Sequence, residues 1–147
     1  MDDRIQREIT INAPLDRVWE LVTEPGWWVP SDVPQPADRH PGAVTMRKSE
    51  KYGAYPVEVV DITPQAYAAF RWASLFPGDD LRDGRTTLVE FHVQPLDSAV
   101  RVTVVESGFA TLDAPEQARQ EGLTGNTGGW EEELASLRTR SESPGQA

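Results

Sequence analysis

The sequence predicts an α+β domain in which an antiparallel sheet is covered by a long final helix. Between residues 43 and 106, five segments alternate apolar and polar residues, and each is bounded by Gly, Pro, Asp or Ser. The connections Thr63-Pro64-Gln65 and Pro95 to Ser98 are short, which makes the segments they join antiparallel neighbours. From Asp113 to about Arg140 the pattern changes to helical spacing, with Leu123, Thr127, Trp130, Leu134 and Leu137 on one face.

The first element is a half-buried strand. From Arg4 to Ile11, Ile5, Ile9 and Ile11 share one face, and Gln6, Glu8 and Thr10 the other. Arg7 falls on the apolar side and interrupts it. A short helix follows, in which Pro14 suits the first turn, Leu15, Val18, Trp19 and Val22 keep helical spacing, and Pro25-Gly26 makes the stop. Residues 25 to 42 hold five of the twelve prolines and show no period, so they read as a long loop within one domain. Trp27 and Trp28 in this loop are costly to leave in water, and they either lid a cavity or seal the first helix.

The five strands are read at Ala43 to Lys48, Tyr55 to Thr63, Tyr67 to Trp72, Thr86 to Gln94 and Val100 to Glu106. In the fourth, Thr87, Val89, Phe91 and Val93 face inward; in the fifth, Val100, Val102 and Val104 do, and Glu106 continues their phase. Residues 73 to 85 read as a loop anchored by Leu75 and Phe76. Asp113 and Glu116 have the spacing of a capping box at the start of the final helix. Beside its apolar face run Ala118, Gly122, Gly125 and Gly129. Each interior glycine costs about 1 kcal/mol against alanine, so these residues either kink the helix or make room for a ligand or a close neighbour. Residues 1–140 are expected to form one domain and 141–147 a disordered tail.

Composition excludes several classes. With no cysteine there are no disulfides, zinc-thiolate sites or thiol nucleophiles. A net charge of −10 with scattered basic residues disfavours nucleic acid as a partner. No run of about 18 apolar residues occurs and the N-terminal residues read as neither a signal peptide nor an anchor, so no membrane span is expected and the cytoplasm is the expected compartment. His40 and His92 are best read as solvated, no cluster has metal-ligand spacing, and no GxSxG elbow occurs, so neither a metal, a cofactor nor a hydrolase triad is expected.

Four stretches carry a resemblance: INAPLDRVWELVTEP at 11 to 25, VEVVDITPQAYAAFRW at 57 to 72, TLVEFHVQPLDSAVRVTVVESGF at 87 to 109, and GGWEEELASL at 128 to 137. In order and spacing they resemble the START-like (SRPBCC) helix-grip superfamily of polyketide cyclases, lipid-transfer domains and the birch-pollen allergen. Within it they look like the branch named after the activator of heat-shock-protein-90 ATPase (Aha-type). The resemblance implies a helix-grip fold, a curved antiparallel sheet wrapped around a long C-terminal helix with a short helix after the first strand, and a hydrophobic pocket between sheet and helix.

The expected function is therefore binding of a small hydrophobic or amphipathic molecule in that cavity. The alternatives are an Aha-type interaction module with a chaperone partner, or a cyclase or aromatase-like enzyme; an enzyme is the less favoured, and the chain is expected to be a monomer or homodimer. The candidate ligand-binding residues are Arg7, Trp28, Tyr55, Trp72, Phe91, Glu106, Gly125, Gly129 and Trp130, with Tyr52 and Phe70 as further aromatic wall candidates. No catalytic residue is assigned. The first and last strands of a helix-grip sheet are neighbours, so Arg7 and Glu106 have two readings: they meet as the polar end of the pocket, or a bulge turns them to solvent. The acidic residues Glu116, Glu121, Glu131, Glu132 and Glu133 read as a solvated helix face.

Overall fold

The computed structural model describes residues 3–31, 38–51, 53–76, 81 and 84–143. Tyr52 and residues 144–147 of the expected tail lie outside the described residues. The elements are β1 (Arg4–Ile11), α1 (Leu15–Val22), β2 (Val44–Ser49), β3 (Gly53–Thr63), β4 (Tyr67–Trp72), β5 (Thr87–Pro95), β6 (Val100–Ser107), a 3-10 turn at Phe109–Thr111, and α2 (Glu116–Glu142). All strand pairs are antiparallel, in the order β1-β6-β5-β4-β3-β2. This is the α+β helix-grip arrangement, with α2 lying across the inner face of the sheet.

Alternation decides that face. Thr87, Val89, Phe91 and Val93 of β5 and Val100, Val102, Val104 and Glu106 of β6 are all buried, in register with Phe70 and Ala68 of β4. The outer face is wet and polar: Arg71 pairs with Glu58, Arg101 with Glu8, and the Tyr67 hydroxyl donates to Glu90 at 2.5 Å. The β3–β4 register shifts between Val59 and Asp61, a bulge that bends the sheet.

The helix-facing side is filled mainly by aromatics. Gly26 adopts φ +76° directly after α1, and a Cβ there would lie 2.5 Å from Arg47 Cγ, so only glycine lets the chain turn inward so tightly. The turn is held by Val29 N–H donating to Gly26 O (2.8 Å) and by Arg47 Nε donating to Val29 O (2.9 Å). It drives both Trp27 and Trp28 into the core, where they meet Phe91 and Trp130, and Trp28 also meets Phe70.

At α2 the structure corrects two expectations. The helix begins at Glu116 with Pro115 at the cap position and no side-chain cap bond. Asp113 instead pairs with Arg85 at 3.5 Å, and its backbone N–H donates to Gly84 O, so the capping box does not form. At the other end the helix runs through Glu142, and Ser141 is buried, so the first two residues of the expected tail belong to the domain. The glycines do not break α2. Gly122 sits against Leu75, whose Cδ1 would lie 2.7 Å from an added Cβ, whereas Gly125, Gly128 and Gly129 face open space.

Candidate functional site

The site is organised by Glu106, whose inward phase on β6 leaves it with no exposed surface. Its carboxylate accepts four hydrogen bonds. Trp72 Nε1 (2.9 Å) and Thr87 Oγ1 (2.5 Å) donate to Oε2, and Asn126 Nδ2 (3.1 Å) and Trp130 Nε1 (2.8 Å) donate to Oε1. Asn126 also donates to Ser74 Oγ at 2.8 Å. Strand alternation brings this set together: Trp72 and Thr87 are directly paired across β4 and β5, and Glu106 is paired with Val89 on the next strand. On α2, Asn126 and Trp130 are one turn apart and so share a face.

Every donor in this set is uncharged. Burial pushes the Glu106 carboxyl above the usual carboxylate range, against the pull of its four hydrogen bonds, which favour the ionised form. Among the described residues no cationic side chain is hydrogen-bonded to this carboxyl.

A hollow of about 110 Å³ opens over this network, lined by Trp28, Trp72, Asn126, Gly129, Trp130 and Glu133. Three of the six lining residues are Glu106 donors. Trp28 meets Trp72 edge-on, at 5.7 Å and 88°, and Trp130 at a tilt, at 5.6 Å and 46°, so Trp28 joins the other two indoles that line the space. An adjoining hollow of about 160 Å³ shares Trp28 and Trp72 and adds Val29, Pro30 and Tyr55. The buried Trp28 Nε1 has no acceptor among the described residues. Glu133 is half-buried; burial first, and Glu132 second, raise its carboxyl above the ordinary value, and Arg140 acts in the opposite direction.

The sequence-derived candidates divide accordingly. Trp28, Trp72, Gly129 and Trp130 line the first hollow, Glu106 lies behind it, and Tyr55 lines the second. Phe91 is fully buried behind the tryptophans and lines neither, and Phe70 is likewise core. Gly125 is exposed on an outer groove with Gly128, Glu131 and Glu132. Arg7 does not meet Glu106. It is paired with Val104 at the rim of the sheet, where its Nε donates to Glu131 at 3.2 Å. Neither a bulge nor a buried ion pair is present there: β1 runs in unbroken register, and its position at the sheet edge lets a long side chain on the inner phase reach water.

Three side chains at this site carry no role in the sequence reading. Thr87 was placed inward but given no role. Asn126 lies three residues after Leu123 and four before Trp130, so a polar residue bordering a buried stripe was its visible signal. Glu133 was assigned to the solvated acidic face; its spacing of three from Trp130 places it beside the buried stripe instead.

Among the described residues no group of three or more metal-ligating side chains occurs, and no helix is long and apolar enough to cross a membrane. His40 is exposed beside Asp38, and His92 lies on the outer face against Tyr67.

Comparison with curated proteins finds no match. Among solved structures, the chain is similar to DynU16, a protein of the dynemicin biosynthetic locus (TM-score 0.72, 23% identity), covering 97% of this chain and 48% of that one, so it spans about half of DynU16. It is also similar to the Aha1 dimer of Colwellia psychrerythraea (TM-score 0.70, 14% identity, 98% of both chains) and to a Bacillus halodurans protein (TM-score 0.66, 22% identity, 93% and 96%). At these identities the likeness is one of fold. The family profile described as activator of Hsp90 ATPase homolog 1-like protein matches residues 12–142, from the end of β1 to the last turn of α2, and the chain belongs to that family.

Proposed function

We propose that the chain binds a small molecule in the hollow between Trp28, Trp72 and Trp130, beneath α2. Glu106 is the observation that carries this reading. Burying a carboxyl without a cationic partner costs several kcal/mol, even with its oxygens hydrogen-bonded, and apolar residues in place of the whole hydrogen-bonded set would serve stability as well. A fixed polar group at the base of an indole-walled hollow is instead the arrangement that orients a ligand. The size of the space limits the ligand. At about 110 Å³, with about 160 Å³ adjoining, it suits a compact molecule or one end of a longer one.

Two measurements test the reading. The intact mass of the purified protein, compared under non-denaturing and denaturing conditions, reveals any ligand retained from the host. A fragment library followed by the indole N–H resonances of ¹⁵N-labelled protein locates binding, with Trp19 on α1 as an internal control. Support is a ligand that shifts Trp28, Trp72 and Trp130 but not Trp19. A bare mass, together with no fragment moving those three, would overturn it.

A second reading, an Aha-type chaperone regulator, is favoured by a different observation. The helix-facing interior is largely filled, and Val44 (56% exposed), Met46 (41%) and Val60 (41%) present apolar surface on β2 and β3. Stimulation of a purified Hsp90 ATPase by this chain, lost in Met46→Glu, would support it; no stimulation would dismiss it. Sedimentation distinguishes a monomer from a dimer such as that of the Colwellia protein.

A further inference from the structure

We infer that the indole-walled hollow takes a compact organic cation, an ammonium or methylated ammonium group seated among Trp28, Trp72 and Trp130 with Glu133 at its rim and Glu106 behind it. The inference rests on the small-molecule reading above and gives that ligand its chemical class.

The walls favour positive charge. An indole carries a negative face, and it attracts a cation within about 6 Å of its centre more strongly than any other side-chain ring. Here three indoles line one space, Trp28 edge-on to Trp72 at 88° and tilted at 46° to Trp130, so a compact group inside it lies against more than one ring. Trp72 and Trp130 each donate their N–H to the Glu106 carboxylate, which polarises the rings and deepens that negative potential.

The charges agree. Among the described residues, Glu133 is the single ionisable side chain lining the hollow, and no Lys or Arg lines it or the adjoining one. The charged groups that act on Glu133 are Glu132 and Arg140, both on α2, and Arg140 lies within 4.0 Å of Glu24. All four Glu106 partners are neutral. An anion in the hollow would be repelled by Glu133 and by an ionised Glu106, and an uncharged apolar ligand would strip water from Glu133 without replacing it. A cation offsets both carboxylates.

The test compares choline with its uncharged carbon isostere, 3,3-dimethylbutan-1-ol. Each is titrated to millimolar concentration into ¹⁵N-labelled protein while the indole N–H resonances are followed. The expected result is that choline shifts Trp28, Trp72 and Trp130 and binds at least about tenfold tighter than the isostere, the order of one desolvated cation–π contact. Glu133→Gln, a half-buried position where folding is not at risk, should weaken choline several-fold and leave the isostere unchanged. Equal binding of the two compounds, or insensitivity of choline to Glu133→Gln, would overturn the cation inference and leave the small-molecule reading standing. Failure of both compounds to move the three resonances also overturns it, and the mass comparison and fragment library then decide the small-molecule reading separately.

Discussion

Replacing Glu106 separates the value of its charge from the value of its hydrogen bonds. Glu106→Ala removes the acceptor of four donors at once. Thr87 can rotate its hydroxyl and Asn126 keeps Ser74, but the Trp72 and Trp130 indoles are fixed by packing. Two orphaned indole N–H groups at about 1–3 kcal/mol each set a loss of roughly 2–6 kcal/mol. Glu106→Gln keeps one oxygen for Asn126 and Trp130 and turns an amide toward Thr87 and Trp72, orphaning one indole at about 1–3 kcal/mol, offset by relief from burying a charge. The two variants should also differ in pH response. Because the folded-state pKa of Glu106 is raised above its ordinary value of 4.5, the native state holds this proton more tightly than the unfolded chain. Its contribution is therefore fully present below about pH 4.5 and is lost as pH rises through the folded value. Urea unfolding followed by far-ultraviolet circular dichroism, at a series of pH values, measures both effects. The wild type should lose stability relative to Glu106→Gln on going from acid to neutral pH. A constant difference between them across that range, or a Glu106→Ala loss below about 1 kcal/mol, would refute the reasoning.

Further outcomes follow from the same geometry. Gly125→Ala and Gly128→Ala, whose added Cβ atoms meet open space, should each stabilise the protein by about 1 kcal/mol in urea, whereas Gly122→Ala should gain less or destabilise it because Leu75 must move. Arg7→Ala should change stability by less than about 1 kcal/mol and by nothing in high salt, since Arg7 and Glu131 are 42% and 61% exposed. The Tyr67 phenol, raised by burial and then by its bond to Glu90, should be the last to ionise in an alkaline absorbance titration, and that late step should vanish in Tyr67→Phe.

The strands and helices were legible because alternation and helical spacing report a single choice, which face is buried, and each strand makes that choice several times over. Glu106 could be read the same way, as one more step in the phase of Val100, Val102 and Val104. What it bonds could not, because its partners come from three other elements, β4, β5 and α2, and a local pattern carries no information on which of them meet. Arg7 shows a related limit. Its phase was read correctly, but phase does not tell the middle of a sheet from its rim, and at the rim a long cation reaches water and Glu131. The glycines of α2 show the same limit: Gly122 is explained by Leu75, 47 positions away, and nothing in the spacing distinguishes it from Gly125. Asp113 and Glu116 had correct capping spacing, yet Arg85 competes for Asp113, a rival that lies on a separate loop.

The Glu106 network also bears on how α2 can move. One carboxylate couples β4, β5, β6 and the middle of the long helix, so sliding or rolling α2 against the sheet must break the Asn126 and Trp130 bonds together. The helix is in effect riveted near its midpoint. The turn at residues 24–29, which carries Trp28, lies outside that rivet and is held by a few backbone bonds and by Arg47. Exchange of the Trp130 indole proton with solvent should then keep pace with the slowest amides of the sheet, while backbone amides around Trp28 exchange sooner.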